Sequence, residues 1–378
     1  MRKAKTASLA VLLALCLTAC GAAGRAVSQS DEVLARDETM AGEGANEGKD
    51  SPDRSKQAVS RQVKLKIGLL AEMGQEEDSF FNRSAWSGLE KAEQEMGIQV
   101  KRLDSRTVAE YGANLEEFSR ERYDLVILSG RDITEAFAEA AEKHPKLQLA
   151  VLDWGAETAA ISGSDHMTVV RFDPVQAAYL AGIAAGMMTK TDQVGWIVGT
   201  GNEKTAAAGY GYLAGVLDAN PDAMILQMNI HSFSDQEQGR AAACQMAEAG
   251  ADVLFHEAGN SGLGVIQGCQ ERQIVAIGMD YDQSASAPEF VAASVVKQLE
   301  QAVLDVSRSC AEGKLESGIL TYDLKNEGCD FLPAGDILPE EVLTALQTVK
   351  VELMEGKIMV PDTKEAFEAA YGDVYLLD

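Results

Sequence analysis

Acids, aromatics and amides recur together where short apolar runs end, and that mixture suits the capture of a small ring compound. The first such place is Glu72, followed by Asp78-Ser79-Phe80-Phe81-Asn82 and Ser84-Ala85-Trp86-Ser87-Gly88. An aromatic ring there would stack on a ligand while the carboxylates and the amide read its edge. An Asp or Asn helix cap beside a packed Phe accounts for the same residues. A second place is Phe255-His256-Glu257-Ala258-Gly259-Asn260-Ser261-Gly262-Leu263-Gly264, whose glycines let backbone amides approach a ligand at a helix N-terminus. It lacks the spacing of a dinucleotide fingerprint and a lysine in phosphate-loop position. His256 by itself reads as a structural residue.

A third place is Gly278-Met279-Asp280-Tyr281-Asp282-Gln283, with Ser294-Val295-Val296-Lys297 after the next apolar run. A carboxylate accepts two hydrogen bonds from a vicinal diol such as that of a ribose, and a lysine supplies donors beside it. A surface ion pair is the competing account. Asp153-Trp154 closes another run, and Ser232-Phe233-Ser234-Asp235 sets an aromatic beside a helix cap. Nothing in these stretches clusters Asp ligands, forms a Ser-His-Asp set or puts a cysteine beside one of the four histidines. No enzyme, metal site or cofactor is expected.

The elements that would position these residues alternate. Strands are expected at Lys64–Leu70, Gln99–Leu103, Asp124–Leu128, Gln148–Leu152 and Met167–Arg171, with helices at Ser84–Glu95 and from Tyr111 and Asp132. A second cycle brings a helix over Asp173–Met188, then strands near Val194–Val198, Ala223–Met228, Val253–Phe255 and Ile274–Gly278 with helices between. Strands at Val291–Val295 and Ile319–Leu324, a helix through Arg308 and a helix from Pro339 finish it. Such alternation predicts parallel sheets covered on both faces, with ligands beyond the carboxyl ends of the strands. The length suits two lobes. Lobe 1 is expected over 62–171 plus about 291–318, lobe 2 over 172–290 plus about 319–361, and a tail over 362–378.

The chain opens with Arg2, Lys3 and Lys5, an apolar stretch from Ala7 to Leu17, and small residues up to Cys20. That is the layout of a secretion signal over residues 1–19, too short to span a bilayer. Leu17-Thr18-Ala19-Cys20 resembles a bacterial lipobox, which implies cleavage before Cys20 and its modification with diacylglycerol and a further acyl chain such as palmitate. More than one chain makes attachment effectively permanent. Residues 20–61 are rich in small and charged residues and cannot bury a core, so a disordered tether with a coil dimension of roughly 35 Å is expected. Formal charge is -26, and cleavage would remove basic residues but no acid. So acidic a chain argues against nucleic acid as a partner. Cys244, Cys269, Cys310 and Cys329 are too widely spaced for a zinc or redox motif, and read as buried thiols or as one disulfide.

Taken in series, these segments resemble the basic membrane protein family of substrate-binding lipoproteins, which includes purine nucleoside receptors of ABC importers. Glu72 through Gly88 follows the family's first motif without gaps. Tyr179-Leu180-Ala181-Gly182, Ser232-Phe233-x-Asp235, Ala258-Gly259-x-Ser261-Gly262-x-Gly264, Ile277-Gly278-Met279-Asp280-x-Asp282-Gln283 and Ser294-Val295-Val296-Lys297 follow in order. The resemblance implies an α/β fold of two Rossmann-like lobes joined by a hinge, the type I periplasmic-binding-protein architecture. It implies that Phe81 and Phe233 sandwich a nucleobase, that Glu72 and Asn82 address its edge, and that Asp280 holds ribose hydroxyls with Lys297 and Gly259 alongside. Asp153, Trp154 and Asp78 join as further contacts. Glu72 stands where the family has Asp, Ser79 where it has Lys and Phe80 where it has Ser. The function implied is that of a monomeric receptor, anchored on the extracytoplasmic face of the cell membrane, that hands a nucleoside to an ABC permease. A sensor of the same fold is the alternative, as is riboflavin or another heteroaromatic ligand.

Overall fold

The computed structural model describes residues 64–73, 80–130, 143–153, 164–201 and 203–372. Strand runs without alternation, such as LVILS and VAASVVK, are hydrophobic on both faces and must be sandwiched. Both are buried along their full length, at β3 (Leu125–Ser129) and β10 (Val291–Lys297). The first sheet holds β1 (Lys66–Glu72), β2 (Gln99–Ser105), β3, β4 (Gln148–Leu152), β5 (Met167–Phe172) and β11 (Gly318–Tyr322), all parallel, in the order β11-β5-β4-β3-β1-β2. The second holds β6 (Gln193–Val198), β7 (Met224–Asn229), β8 (Val253–Glu257), β9 (Val275–Asp280), β10 and β12 (Cys329–Pro333), in the order β12-β10-β9-β8-β6-β7. β12 runs antiparallel to β10. Two doubly covered, mostly parallel α/β sheets are the expected type I architecture.

One face of the first sheet packs Ile67, Leu69 and Ile127 on Ala85 and Leu89 of α1 (Phe80–Met96) and on Val303 of α7 (Leu299–Ala311). The other packs Leu70, Val126 and Leu128 on Tyr111, Leu115 and Phe118 of α2 (Val108–Arg120). Thr107 caps α2 by accepting from the Glu110 amide. The second sheet lies between α3 (Val175–Met188) with α4 (Glu203–Ala219) on one face and α5 (Gln236–Glu248) with α6 (Ser261–Arg272) on the other. A methyl group on Gly182 would sit 2.1 Å from the Tyr212 carbonyl oxygen, and one on Gly215 2.1 Å from that of Tyr179. The Tyr179–Gly182 segment is therefore a helix-packing motif.

Two expectations about the late chain are corrected. β10 belongs to the second sheet, paired with β9 and β12, while β11 returns to the first beside β5. Strand partners are non-local, so the apolar run at 291–297 did not disclose which sheet it completes. The second correction concerns 362–378: Lys364–Tyr371 forms α9, following α8 (Glu340–Met354). Thr363 caps α9, and its Phe367 is fully buried against Tyr210 and Tyr371.

The chain therefore crosses between the sheets three times, near Asp173-Pro174, at Gln298 and over 323–328. The third crossing is bonded to each of the other two, the Asp173 amide donating to the Tyr322 carbonyl at 2.8 Å and the Gln298 amide to the Gly328 carbonyl at 2.9 Å, and the Cys329 amide closes the third crossing on the Asp323 carbonyl at 3.0 Å. Cys244, Cys269, Cys310 and Cys329 are free thiols. Among the described residues no helix is long and apolar enough to cross a membrane. Cys20 and the tether lie outside the described residues.

Candidate functional site

Parallel strands end on the same side of a sheet, so residues closing β1, β3, β4, β8, β9 and β10 gather where the two sheets' carboxyl edges meet. Lys297 closes β10, and its ammonium lies 2.9 Å from the Asp280 carboxylate on its own lobe and 3.1 Å from that of Asp153 on the other. All are sheltered, with side chains 6%, 16% and 8% exposed respectively. Burial alone would push the Lys297 ammonium toward the neutral form. Asp153, Asp280 and, less strongly, the buried Glu257 at the end of β8 more than offset that and hold its pKa above the ordinary range. Asp153 and Asp280 both adopt left-handed backbone, φ 52° and 75°, which turns each chain sharply after its strand.

Above this charge cluster lies the Phe81 ring, its centroid 5.4 Å from the Lys297 nitrogen, within cation–π range. Phe80 meets Phe81 edge-on at 6.0 Å and stacks on Tyr281 of the other lobe at 4.4 Å and 21°. Asn82 is buried beneath them. Its amide nitrogen donates to the Glu72 carbonyl at 2.8 Å, and its amide oxygen accepts from the Ser129 hydroxyl at 2.7 Å. Both ends of that amide are thus engaged by the protein, and Asn82 braces α1 against β1 and β3. Glu72 is half-buried at the end of β1, close enough to Tyr111 that its charge adds to burial in raising that phenol's pKa.

Phe233 and Gly259 meet on the second lobe. The Ser261 amide donates to the Phe233 carbonyl at 3.2 Å, and Gly259 takes φ 53° directly against Phe233. A methyl group on Gly199 would lie 2.5 Å from the Phe233 ring, so glycine at the end of β6 lets the ring lie against the backbone. Asp235 is the cap of α5, accepting from the Gln238 amide at 3.0 Å. His256 is fully buried under the first turn of α6, where a side chain on Gly262 would overlap its ring. Its Nε2 meets the Gln283 side-chain oxygen at 2.9 Å, and Nδ1 has no partner among the described residues. Since that oxygen also accepts from the Met279 amide, Nε2 is the protonated nitrogen. Burial lowers the ring's pKa to about 4, keeping it neutral.

Of the expected site residues, Phe81, Asp153, Asp280 and Lys297 converge. Phe233 and Gly259 form a second group, and Glu72 and Asn82 adjoin the first. Asp78 and Trp154 lie outside the described residues. Glu257, Ser129, Phe80 and Tyr281 went unassigned by sequence reasoning. Glu257 and Ser129 close strands, and weighing every strand end equally would have flagged them. The Phe80–Tyr281 stack joins two lobes and had no local signal. Among the described residues no set of three His, Cys, Asp or Glu side chains is arranged to hold a metal ion.

A family model described as "ABC transporter substrate-binding protein PnrA-like", Bmp, matches residues 64–364. The chain is 28% identical over 333 residues to a Lactococcus lactis protein named "ABC transporter nucleoside-binding protein BmpA", covering 82% of this chain and 93% of that one. It is 27% identical over 337 residues to the Listeria monocytogenes "CD4+ T-cell-stimulating antigen", covering 83% and 93%. A solved solute-binding protein of an ABC transporter system from Aeropyrum pernix superposes with a TM-score of 0.69 at 21% identity, over 82% of this chain and 98% of that one, and shares the fold. Charge pairs and aromatic rings gathered where the two lobes meet and the family model's match over residues 64–364 agree: this chain belongs to the Bmp family of ABC transporter substrate-binding proteins, which bind a solute and are not enzymes.

Proposed function

We propose that the cleft takes a nucleoside, preferentially a purine nucleoside, and that the protein delivers it to the permease of an ABC importer. The observation that carries this reading is the Lys297 ammonium bridging Asp153 of one lobe and Asp280 of the other beside the Phe81 ring. Buried carboxylates held in place by a lysine suit a pair of sugar hydroxyls, and an adjacent aromatic face suits a base. In this reading Phe81 and Phe233 stack on the base, with Glu72 at its edge and Asn82 as the brace behind. Asp280, Lys297 and Asp153 take the ribose, with Gly259 offering close backbone approach. The name of the Lactococcus relative favours the same ligand class.

The protein would act as a monomer, anchored through a lipid on Cys20 to the extracytoplasmic face and held there by the tether of 20–61. Closure on a ligand that touches both lobes would be a hinge motion selected by that ligand. Titration calorimetry with adenosine, guanosine, inosine, uridine and riboflavin tests the substrate class. Heat from the purine nucleosides is expected, while heat from riboflavin alone would replace the reading. Mass spectrometry of the protein from membranes tests the anchor, where an N-terminal peptide lacking acyl mass on Cys20 would remove it.

A further inference from the structure

Lys297 of lobe 2 reaches lobe 1 at the Asp153 carboxylate and at the Phe81 ring, and both contacts belong to the site already described. A further contact between the lobes is aromatic. Phe80, the first residue of α1 on lobe 1, lies nearly parallel to Tyr281, which follows Asp280 on lobe 2, with centroids 4.4 Å apart. Phe80 also meets Phe81 edge-on, Phe81 lies over Lys297, and Lys297 pairs with Asp280, the chain neighbour of Tyr281. The contacts thus close a ring that passes from lobe 1 to lobe 2 through the stack and returns where the Lys297 ammonium lies over the Phe81 ring.

The Tyr281 side of this ring is held rigidly. The Gln283 amide donates to the Ser294 hydroxyl at 3.1 Å, and its side-chain oxygen accepts from the Met279 amide at 3.1 Å and meets His256 at 2.9 Å. That ties down both ends of the turn that carries Tyr281. The left-handed backbone of Asp280 starts the turn and aims the ring. A stack between preorganised partners gives up little conformational freedom on forming. It needs nothing from the ligand, and both rings would be wetted whenever the lobes part.

We infer that Phe80 and Tyr281 form a clasp across the cleft that favours the closed arrangement before any ligand arrives and slows the ligand's escape afterwards. Phe80 occupies a motif position filled by serine in the family the chain resembles, so the clasp is a property of this chain's own sequence. The ligand-dependent part rests on the nucleoside reading, and the ligand-independent part does not.

The test uses the full mature chain and the variants Phe80→Ser, Tyr281→Ser, their combination and Tyr281→Phe. In ligand-free protein, small-angle X-ray scattering should show a larger radius of gyration for either serine variant, no further increase for the pair, and unchanged dimensions for Tyr281→Phe. Non-additivity is the signature of one shared contact. With whichever nucleoside binds best, stopped-flow release should quicken roughly three- to tenfold in the serine variants, and association should quicken or stay the same, since opening enlarges the fraction of protein that can admit a ligand. Unchanged ligand-free scattering in both serine variants overturns the clasp. So does opening caused by Tyr281→Phe, which would assign the contact to the hydroxyl. Opening of the serine variants in a protein that binds no nucleoside would support the clasp and sink the nucleoside reading instead.

Discussion

Replacing Lys297 with methionine preserves most of the side chain's length and volume while deleting its charge. Contacts at 2.9 and 3.1 Å, at an effective dielectric near 20, each represent about 5 kcal/mol of attraction. Burying the ions costs several kcal/mol apiece, so the intact cluster is close to balanced. Removing the cation is not balanced, because Asp153, Asp280 and Glu257 then share one sheltered space without the ammonium that offsets them. Breaking a buried pair on one side costs about 3–5 kcal/mol, and Lys297→Met should lose stability on that scale at pH 7. The deficit should shrink on acidification. A carboxylate cluster without its cation binds protons more readily folded than unfolded, so its stability rises as pH falls. Urea unfolding of both proteins at pH 7 and pH 5 reads this as a difference of differences, in which the other titrating groups cancel. A loss under about 1 kcal/mol, or one that does not change with pH, would show that Lys297 is not the counter-charge of the cluster.

Phe81→Ala should weaken nucleoside binding by about 1–3 kcal/mol, roughly 5- to 150-fold in calorimetry, and unchanged affinity would remove the ring from the site. His256 is neutral when folded, with a pKa lowered to about 4, and titrates near 6.5 when unfolded. Between those values the unfolded chain binds the extra proton, so stability falls as pH drops from about 6.5 to about 4, by up to about 3 kcal/mol. His256→Gln should flatten that slope in urea unfolding, and an acid loss equal to the parent's would clear the histidine. Gly182→Ala drives a methyl group into the Tyr212 carbonyl and should cost about 1–3 kcal/mol, visible as a lower melting temperature. No change on melting would mean that α3 and α4 can part freely.

The α/β alternation was legible because parallel strands such as 125–129 and 253–257 are short, apolar and bounded by turns, and Gln148–Leu152 matches its expected bounds. Lys297 and Asp280 were legible as strand-end residues, since strand ends are where chemistry collects. Which sheet β10 joins was not, because pairing joins residues distant along the chain. Asn82 shows another limit. Its position beside Phe81 suggests a ligand contact, yet its amide is engaged by Glu72 and Ser129, a fact carried by neighbours 10 and 47 residues away. Cys329–Pro333 was passed over as a strand because its run includes an Asp and ends in Pro. Phe331 is its main apolar anchor, and its partner β10 supplies the rest.

The three bonded crossings between the sheets carry a mechanical consequence. A single linker would allow one lobe to swing, slide and twist on the other. Three connections, of which the 323–328 turn is bonded to the other two at Asp173–Tyr322 and Gln298–Gly328, are expected to bend together about one axis and to resist torsion, as a strap hinge does. With one soft coordinate left, the proposed closure would return Lys297 to Asp153 and Phe80 to Tyr281 in the same register. The time a captured solute waits would then be spent on the stroke itself and not on a search over orientations.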